Sequence, residues 1–177
     1  PIFYTGGGVI NSGPRASKLL RELQAATGIP VTSTLMGLGA FAASHPDWLG
    51  MVGMHGSFEA NNAMHDCDLM ICLGARFDDR VTGRIDAFSP NSKKVHIDID
   101  PSSINKIVRV DVPVVGDCAA TLQAILKELG TRKGKKPNLS EWQKQIATWR
   151  ARDCFAYANS DTVIKPQYAV QRLYELT

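Results

Sequence analysis

The chain has 177 residues, of which 44% are hydrophobic and 21% are charged, with a net charge of +3. This composition is typical of a globular protein and excludes a mostly disordered chain. The charge is too small to indicate nucleic-acid binding, and no apolar run approaches the ~20 residues of a membrane span.

Two local features agree with these exclusions. The basic cluster Arg132, Lys133, Lys135 and Lys136 carries no interleaved aromatic residues, so we interpret it as a solvated linker. The four cysteines form no CxxC pair, which favours free thiols in a reducing compartment over a disulfide framework.

The first elements in chain order are a strand over residues 2–5 and an amphipathic helix. Pro14 suits the first turn of this helix, and Gly28 ends it. A second strand is predicted over residues 31–33. The glycine-rich stretch 34–56 has little periodic pattern, so no element is predicted there.

The second half of the chain repeats the alternation of helix and strand. Residues 69–73 form a continuous apolar run, which is typical of a parallel strand covered on both faces. The remaining predictions are a helix over 58–65, a polar loop over 75–91, strands over 94–99 and 112–115, and a helix capped by Asp117.

This alternation predicts an α/β fold: an open, doubly wound, mostly parallel sheet of about six strands with helices on both faces, followed by a helical linker. Ligands of such sheets bind outside the carboxyl ends of the strands. The segments selected by this rule are 6–12, 34–37, 74–80, 98–101 and 116–117.

The loop after the first strand matches neither common nucleotide fingerprint. A Rossmann G-x-G-x-x-G would need glycine where Asn11 stands, and a phosphate-binding P-loop would need lysine where Pro14 stands. The loop is therefore either an anion-binding turn or a tight reversal of the chain. The charged run 76–80 and Asp98 likewise fit either phosphate and ribose contacts or solvated strand ends. The histidines show no metal-ligand spacing.

Four segments, 34–39, 50–56, 74–80 and 95–101, resemble the central domain of the large catalytic subunit of acetohydroxyacid synthase, also called acetolactate synthase. The resemblance covers essentially the whole chain. It implies a thiamine-diphosphate-dependent transferase that condenses pyruvate with pyruvate or 2-oxobutanoate, with decarboxylation, in branched-chain amino-acid biosynthesis.

The resemblance also implies that this domain binds FAD, which has no net redox role in the reaction. The implied FAD-binding residues are Gly7, Thr34, Leu35, Val52, Gly53, Met54, His55, Gly74, Ala75, Arg76, Phe77, Asp78, Asp98, Ile99, Asp117 and Cys118. Asp79 and Arg80 resemble residues at the mouth of the active-site channel.

The same resemblance places the chemistry outside this chain. Thiamine diphosphate and Mg²⁺ are expected in the flanking domains, so no catalytic residue and no metal ligand is assigned here, and the chain alone is expected to be inactive. The expected divisions are a central domain over 1–130, a linker with a helix over 131–165, and the start of the following domain over 166–177.

The implied partners are the N- and C-terminal domains of the same chain, further catalytic subunits in a homodimer or tetramer, and a separate regulatory small subunit. The implied location is the bacterial cytoplasm. Two alternatives stay open: the central domain of another thiamine-diphosphate enzyme, such as glyoxylate carboligase or an oxidase, and a structural nucleotide-binding domain without FAD. The run 76–80 favours acetohydroxyacid synthase.

Overall fold

The computed structural model describes residues 1–131 and 136–177, so most of the predicted basic linker, Arg132, Lys133 and Lys135, lies outside the described residues. Within the described residues the chain forms six strands and seven helices. The strands are β1 (Ile2–Thr5), β2 (Val31–Ser33), β3 (Trp48–Met51), β4 (Leu69–Leu73), β5 (Lys93–Asp98) and β6 (Val112–Val115). The helices are α1 (Gly7–Asn11), α2 (Pro14–Thr27), α3 (Phe58–Asp66), α4 (Asp79–Thr82), α5 (Cys118–Thr131), α6 (Ser140–Arg150) and α7 (Pro166–Leu176).

The six strands form one parallel sheet in the order β3-β2-β1-β4-β5-β6. The chain moves outward from β1 through β2 to β3, and then returns to the other side of β1 to continue with β4. The direction of winding therefore reverses between β1 and β4. The predicted doubly wound α/β fold is confirmed.

Successive residues of a strand point to opposite faces of the sheet, and in this sheet both faces carry buried apolar side chains. Helices therefore cover both faces. On one face, Phe3 of β1 shares a buried cluster with Leu20 of α2 and Leu122 of α5. On the other face, Tyr4 of β1 shares a cluster with Ala63 of α3 and with residues of α6. The sheet edge at the carboxyl ends of the strands is thus open between two helical layers.

Three short elements, β3, α4 and α1, were not predicted from the sequence. The edge strand β3 lies inside the stretch 34–56, and helix α4 lies inside the predicted loop 75–91. Helix α1 occupies the glycine loop after β1. Helices α1 and α4 span only four or five residues, which is too short for a helical period to be recognised, and β3 contains Gly50 within a glycine-rich stretch. Strand β5 also begins and ends one residue earlier than predicted.

The C-terminal segment contributes little to this core. Helix α7 has no buried residue, and the side chains of Val170, Leu173 and Leu176 are each at least 64% exposed. In the described part of the chain, no helix combines the length and apolar character needed to cross a membrane.

Candidate functional site

A cleft of about 520 Å³ lies at the carboxyl ends of the strands, where the winding reverses between β1 and β4. This is where doubly wound sheets bind dinucleotides. The lining residues follow β1, β2, β4 and β5 and are Tyr4, Gly7, Gly8, Asn11, Thr34, Leu35, Met36, Gly74, Ala75, Arg76, Asp78, Arg80, Val81, Asp98, Ile99 and Ser103.

The backbones of the loops after β1 and β4 are in direct contact. The N–H of Gly8 donates a hydrogen bond of 2.9 Å to the carbonyl oxygen of Gly74. A Cβ atom on Gly8 would lie 2.6 Å from the Gly74 Cα, and one on Gly6 would lie 2.3 Å from the Gly74 oxygen. These glycines therefore bring the loops together, which is a packing role that the sequence could not distinguish from anion binding.

Gly7 is placed differently from its two neighbours. Gly7 and Gly8 both line the cleft, but the Gly6 and Gly8 N–H groups donate to carbonyl oxygens of β4 and its following residue, whereas Gly7 lies beside Met36. The nearest side-chain atom to a Cβ on Gly7 would be the Met36 Cβ at 3.3 Å. A ligand can therefore approach the backbone at Gly7 without meeting a side chain of that residue.

The charged loop after β4 is ordered by Asp78. The Asp78 carboxylate accepts a hydrogen bond from the Arg80 N–H at 3.1 Å and one from the Arg76 guanidinium at 2.7 Å. The Arg80 N–H first, then the Asp79 side chain and the charge of Arg76, hold the pKa of Asp78 below its ordinary value. The Arg76 side chain is 76% exposed, so its other N–H groups are available to a phosphate.

The buried side chain of Phe77 fixes the position of this loop by packing into the core. Phe77 has a φ of +56°, in the left-handed region that non-glycine residues rarely adopt. Its buried ring packs against Tyr4 at 5.7 Å and against His96 at 5.0 Å between centroids. Packing of this ring holds the strained backbone, so the flanking residues Arg76 and Asp78 are directed towards the cleft.

His96 makes a second attachment for the same loop. Its Nε2 lies 2.9 Å from the carbonyl oxygen of Ala75, which can only accept, so Nε2 carries the proton. Burial lowers the pKa of His96, opposed by the neighbouring Asp98 carboxylate. The ring is therefore neutral near pH 7 and acts as a hydrogen-bond donor rather than as a cation.

Asp98 ends β5 and lines the cleft. Its Oδ1 accepts a hydrogen bond from the Asp100 N–H at 2.9 Å, and its backbone oxygen accepts one from Gly116 at 2.9 Å. Its Oδ2 lies 3.6 Å from His96 Nε2, which is too far for a good hydrogen bond. This oxygen can accept a hydrogen bond from a ligand hydroxyl.

Nine of the sixteen FAD-binding candidates line the cleft, together with Arg80 of the channel pair. The nine are Gly7, Thr34, Leu35, Gly74, Ala75, Arg76, Asp78, Asp98 and Ile99. Leu35 and Ile99 are more than two-thirds exposed and give the cleft an apolar rim. Asp79 begins helix α4 beside the cleft and is not among the lining residues.

Asp117 caps helix α5 and links it to the residue that follows α1. Its Oδ2 accepts a hydrogen bond of 2.6 Å from the Ser12 hydroxyl, and its Oδ1 accepts one of 3.0 Å from the Ala120 N–H. These bonds, that from Ser12 first, lower the pKa of Asp117. The predicted cap of helix α5 is confirmed, and the same residue ties α5 to the end of α1.

The other candidates lie in or beside the core. The side chains of Val52, Phe77 and Cys118 are each at most 4% exposed, and burial raises the pKa of the Cys118 thiol to about 12. None of these three residues lines the cleft. Gly53, Met54 and His55 form a turn held against α4, where the Met54 N–H donates to the Arg80 oxygen at 2.8 Å.

Three lining residues, Gly8, Asn11 and Met36, lie in the strand-end segments selected from the sequence but were not named as candidates. Three others lie outside those segments, which are Tyr4, Val81 and Ser103. Tyr4 is the most informative of them, because its buried hydroxyl has no hydrogen-bond partner within residues 1–131 and 136–177. From the sequence, Tyr4 was predicted only as part of the strand over residues 2–5. The signal available in the sequence was a tyrosine at a buried position of the strand directly before the glycine loop.

The cleft fits a flavin dinucleotide in its donor and acceptor groups. An unobstructed glycine backbone and an exposed arginine suit a pyrophosphate, a free carboxylate oxygen suits ribose hydroxyls, and the apolar rim suits a flat ring system. In the described ranges, no group of three or more His, Cys, Asp or Glu side chains is placed to hold a metal ion.

Comparison with known proteins identifies the family of this chain. Residues 1–125 match the family described as thiamine pyrophosphate enzyme, central domain. The chain is 44% identical over 179 residues to acetolactate synthase isozyme 3 large subunit of Escherichia coli, covering 100% of this chain and 31% of that protein. It is 42% identical over 180 residues to acetolactate synthase large subunit of Haemophilus influenzae, with coverage of 100% and 31%.

A third relative, acetolactate synthase of Mycobacterium avium, is 44% identical over 179 residues, covering 99% of this chain and 28% of that protein. The chain thus spans only 28–31% of the length of these curated relatives. Because the family match covers residues 1–125 of 177, the chain belongs to the thiamine pyrophosphate enzyme family, of which it is a central domain.

Proposed function

We propose that this chain is the FAD-binding central domain of an acetolactate synthase large subunit, which condenses two 2-oxo acids with decarboxylation. The observation that carries the proposal is the cleft at the reversal of the sheet, where Gly7, Arg76 and Asp98 face one volume. Relatives that match the whole chain are named acetolactate synthase large subunits, which supports the assignment of the reaction.

In this proposal each residue has a distinct binding task. The backbone at Gly7 approaches the pyrophosphate, and the Arg76 guanidinium adds a positive charge and a planar set of N–H donors that suits phosphate oxygens. Asp98 Oδ2 accepts hydrogen bonds from ribose hydroxyls. The exposed apolar side chains of Leu35 and Ile99 cover part of the flavin surface. Bound FAD would undergo no net oxidation or reduction in the condensation.

The remaining requirements would be met outside this chain. Thiamine diphosphate, Mg²⁺ and the catalytic residues would belong to the flanking N- and C-terminal domains, and the isolated chain would form no acetolactate. The words "large subunit" in the names of the relatives support a separate small regulatory subunit. We also propose a homodimer or tetramer of catalytic subunits and a location in the bacterial cytoplasm.

The cofactor assignment is tested in a full-length large subunit that carries this sequence. The purified protein should show flavin absorbance, and mass spectrometry of the released cofactor should identify FAD. A colourless protein that binds no added FAD would favour a structural domain. Flavin with no acetolactate formation from pyruvate would favour another enzyme of the family.

The residue assignment is tested by Arg76→Ala and Asp98→Ala in the same protein. A lost hydrogen bond to a charged group should weaken FAD by about ten- to a hundredfold for Asp98→Ala, and by about tenfold for the exposed Arg76. The matched controls are Arg84→Ala and Asp66→Ala, because both side chains are exposed and neither lines the cleft. Fluorescence titration at wild-type affinity for both cleft variants would refute the proposed site.

A further inference from the structure

The hydroxyl of Tyr4 is buried without a hydrogen-bond partner. Tyr4 lies in β1 between Thr32 of β2 and Cys72 of β4, and none of its surface is exposed. Its Oη atom has no partner anywhere in residues 1–131 and 136–177. Such groups are rare, because phenylalanine would fill the same space without the cost of removing a hydroxyl from water.

The position of Tyr4 separates it from other buried polar groups that lack a partner. In the described ranges, the buried side-chain N and O atoms without a hydrogen-bond partner are Tyr4 Oη, Thr82 Oγ1 and His96 Nδ1. Of these three residues, only Tyr4 lines the cleft. The other lining residues come from the loops, helices and strand ends around the cleft, whereas Tyr4 belongs to the interior of the central strand and forms part of the cleft floor.

The neighbours of the hydroxyl are already engaged elsewhere. The Cys72 thiol donates to the Ala75 oxygen at 3.0 Å, and the Asp78 carboxylate is bound by Arg76 and by the Arg80 N–H. Burial, and then the charges that Cys72 and Asp78 can carry, raise the pKa of Tyr4 well above its ordinary value. The hydroxyl therefore keeps its proton and is available as a donor.

We propose that Tyr4 Oη donates a hydrogen bond to an acceptor atom of the dinucleotide bound in this cleft. Tyr4 would thus be a cofactor-binding residue supplied by the sheet itself, in addition to the residues supplied by the loops. The inference rests on the proposed FAD-binding function. It explains why the strand carries a hydroxyl at a position where an apolar ring would otherwise suffice.

The test is Tyr4→Phe in the full-length protein, which removes one oxygen and keeps the ring. We expect FAD affinity, measured by fluorescence titration of the apoprotein, to fall about three- to tenfold. The stability of the FAD-free protein, measured by urea unfolding, should be unchanged or increased, because an unpartnered hydroxyl is removed. A purely structural role of the hydroxyl predicts unchanged FAD affinity and lower stability of the FAD-free protein.

Tyr157→Phe is the matched control. The Tyr157 hydroxyl donates to Gln171 at 2.8 Å, and the residue does not line the cleft, so FAD affinity should not change. Wild-type affinity of Tyr4→Phe would show that the hydroxyl makes no bond to the cofactor and would overturn the inference. Lower stability of FAD-free Tyr4→Phe would reveal a partner inside the protein and would also overturn it.

The same titration distinguishes failure of this inference from failure of the proposed function. If the wild-type protein binds no FAD, both the proposed function and the proposed role of Tyr4 are refuted. If both proteins bind FAD equally, only the inference about Tyr4 is refuted.

Discussion

At Gly74, a conformational and a steric constraint act on one residue. Its φ is +62°, and a Cβ atom placed there would lie 2.5 Å from the Gly8 Cα. An L-residue pays for a left-handed backbone, and here it would also push apart the loops that follow β1 and β4. The shape of the cleft therefore depends on the lack of a side chain at Gly74 as well as on the charged side chains around the cleft.

Gly74→Ala should lower the free energy of unfolding by about 2–5 kcal/mol, which combines the backbone penalty with overpacking. Gly28→Ala is the control, because Gly28 has a similar φ of +71° but its Cβ would meet only the Leu139 methyl at 3.8 Å. That substitution should cost only about 1–2 kcal/mol. Urea unfolding measures both, and equal losses would show that the contact with Gly8 is unimportant.

His96 should make the stability of the protein sensitive to acid. Burial lowers its pKa in the folded state, so the unfolded state binds more protons below the ordinary pKa of about 6.5. The free energy of unfolding should therefore decrease as the pH falls through this window, by at most about 1.4 kcal/mol per pH unit.

His96→Gln isolates this effect, because glutamine can donate to the Ala75 oxygen but does not titrate. Between about pH 7.5 and about pH 5.5, the wild-type protein should lose more stability in urea unfolding than the variant. All other titratable groups are the same in both proteins, so the difference between the two curves reports on His96. If stability falls equally with pH in both proteins, the pH dependence does not come from His96.

At the scale of elements, helix α6 packs on the sheet although it lies within the linker predicted over 131–165. Ile146 and Trp149 are 1% and 8% exposed and lie in the buried cluster with α3 and β1. The rings of Trp142 and Trp149 pack edge to face at 5.6 Å, and the Trp142 Nε1–H donates to the Pro1 oxygen at 2.9 Å. The helix therefore completes one covering layer of the sheet.

Ile146→Ala should lower the free energy of unfolding by about 2–5 kcal/mol, because it leaves a cavity between α6 and the sheet. Gln145→Ala, the adjacent exposed position, should change stability by less than about 0.5 kcal/mol. Both values come from urea unfolding. A negligible effect of Ile146→Ala would indicate that α6 is only tethered to the domain.

At the scale of the whole molecule, the sheet domain and the C-terminal segment differ in the burial of their apolar residues. The segment that contains α7 exposes seven large apolar side chains, and α7 has no buried residue. The seven are Val163, Ile164, Tyr168, Val170, Leu173, Tyr174 and Leu176. A helix with these properties gains little stability from packing against the rest of the chain.

In a dilute monomer of this chain, the amides of α7 should exchange with solvent far faster than those of β4. Hydrogen exchange followed by mass spectrometry measures both segments in one experiment. In a full-length large subunit, the same amides should become protected, because the following domain would cover this apolar face. Protection of α7 in the monomer at the level of β4 would contradict this expectation.

The sequence by itself determined the α/β class, five of the six strands and the principal helices. These predictions depend on hydrophobic periodicity and on residues such as Pro14 and Gly28 at helix ends, which are local properties of the chain. The sequence also selected the strand ends at which nine of the sixteen candidate residues meet, since parallel strands bring their carboxyl ends to one edge.

Only the tertiary structure decided what each candidate does at that edge. Asp117 is paired with Ser12, which is 105 residues away, and the glycines after β1 meet Gly74 across the cleft. The availability of the Tyr4 hydroxyl depends on the hydrogen bonds made by Asp78 and Cys72. Such contacts join residues far apart in the chain, so no local period records them, and only the folded arrangement separates a packing role from a binding role.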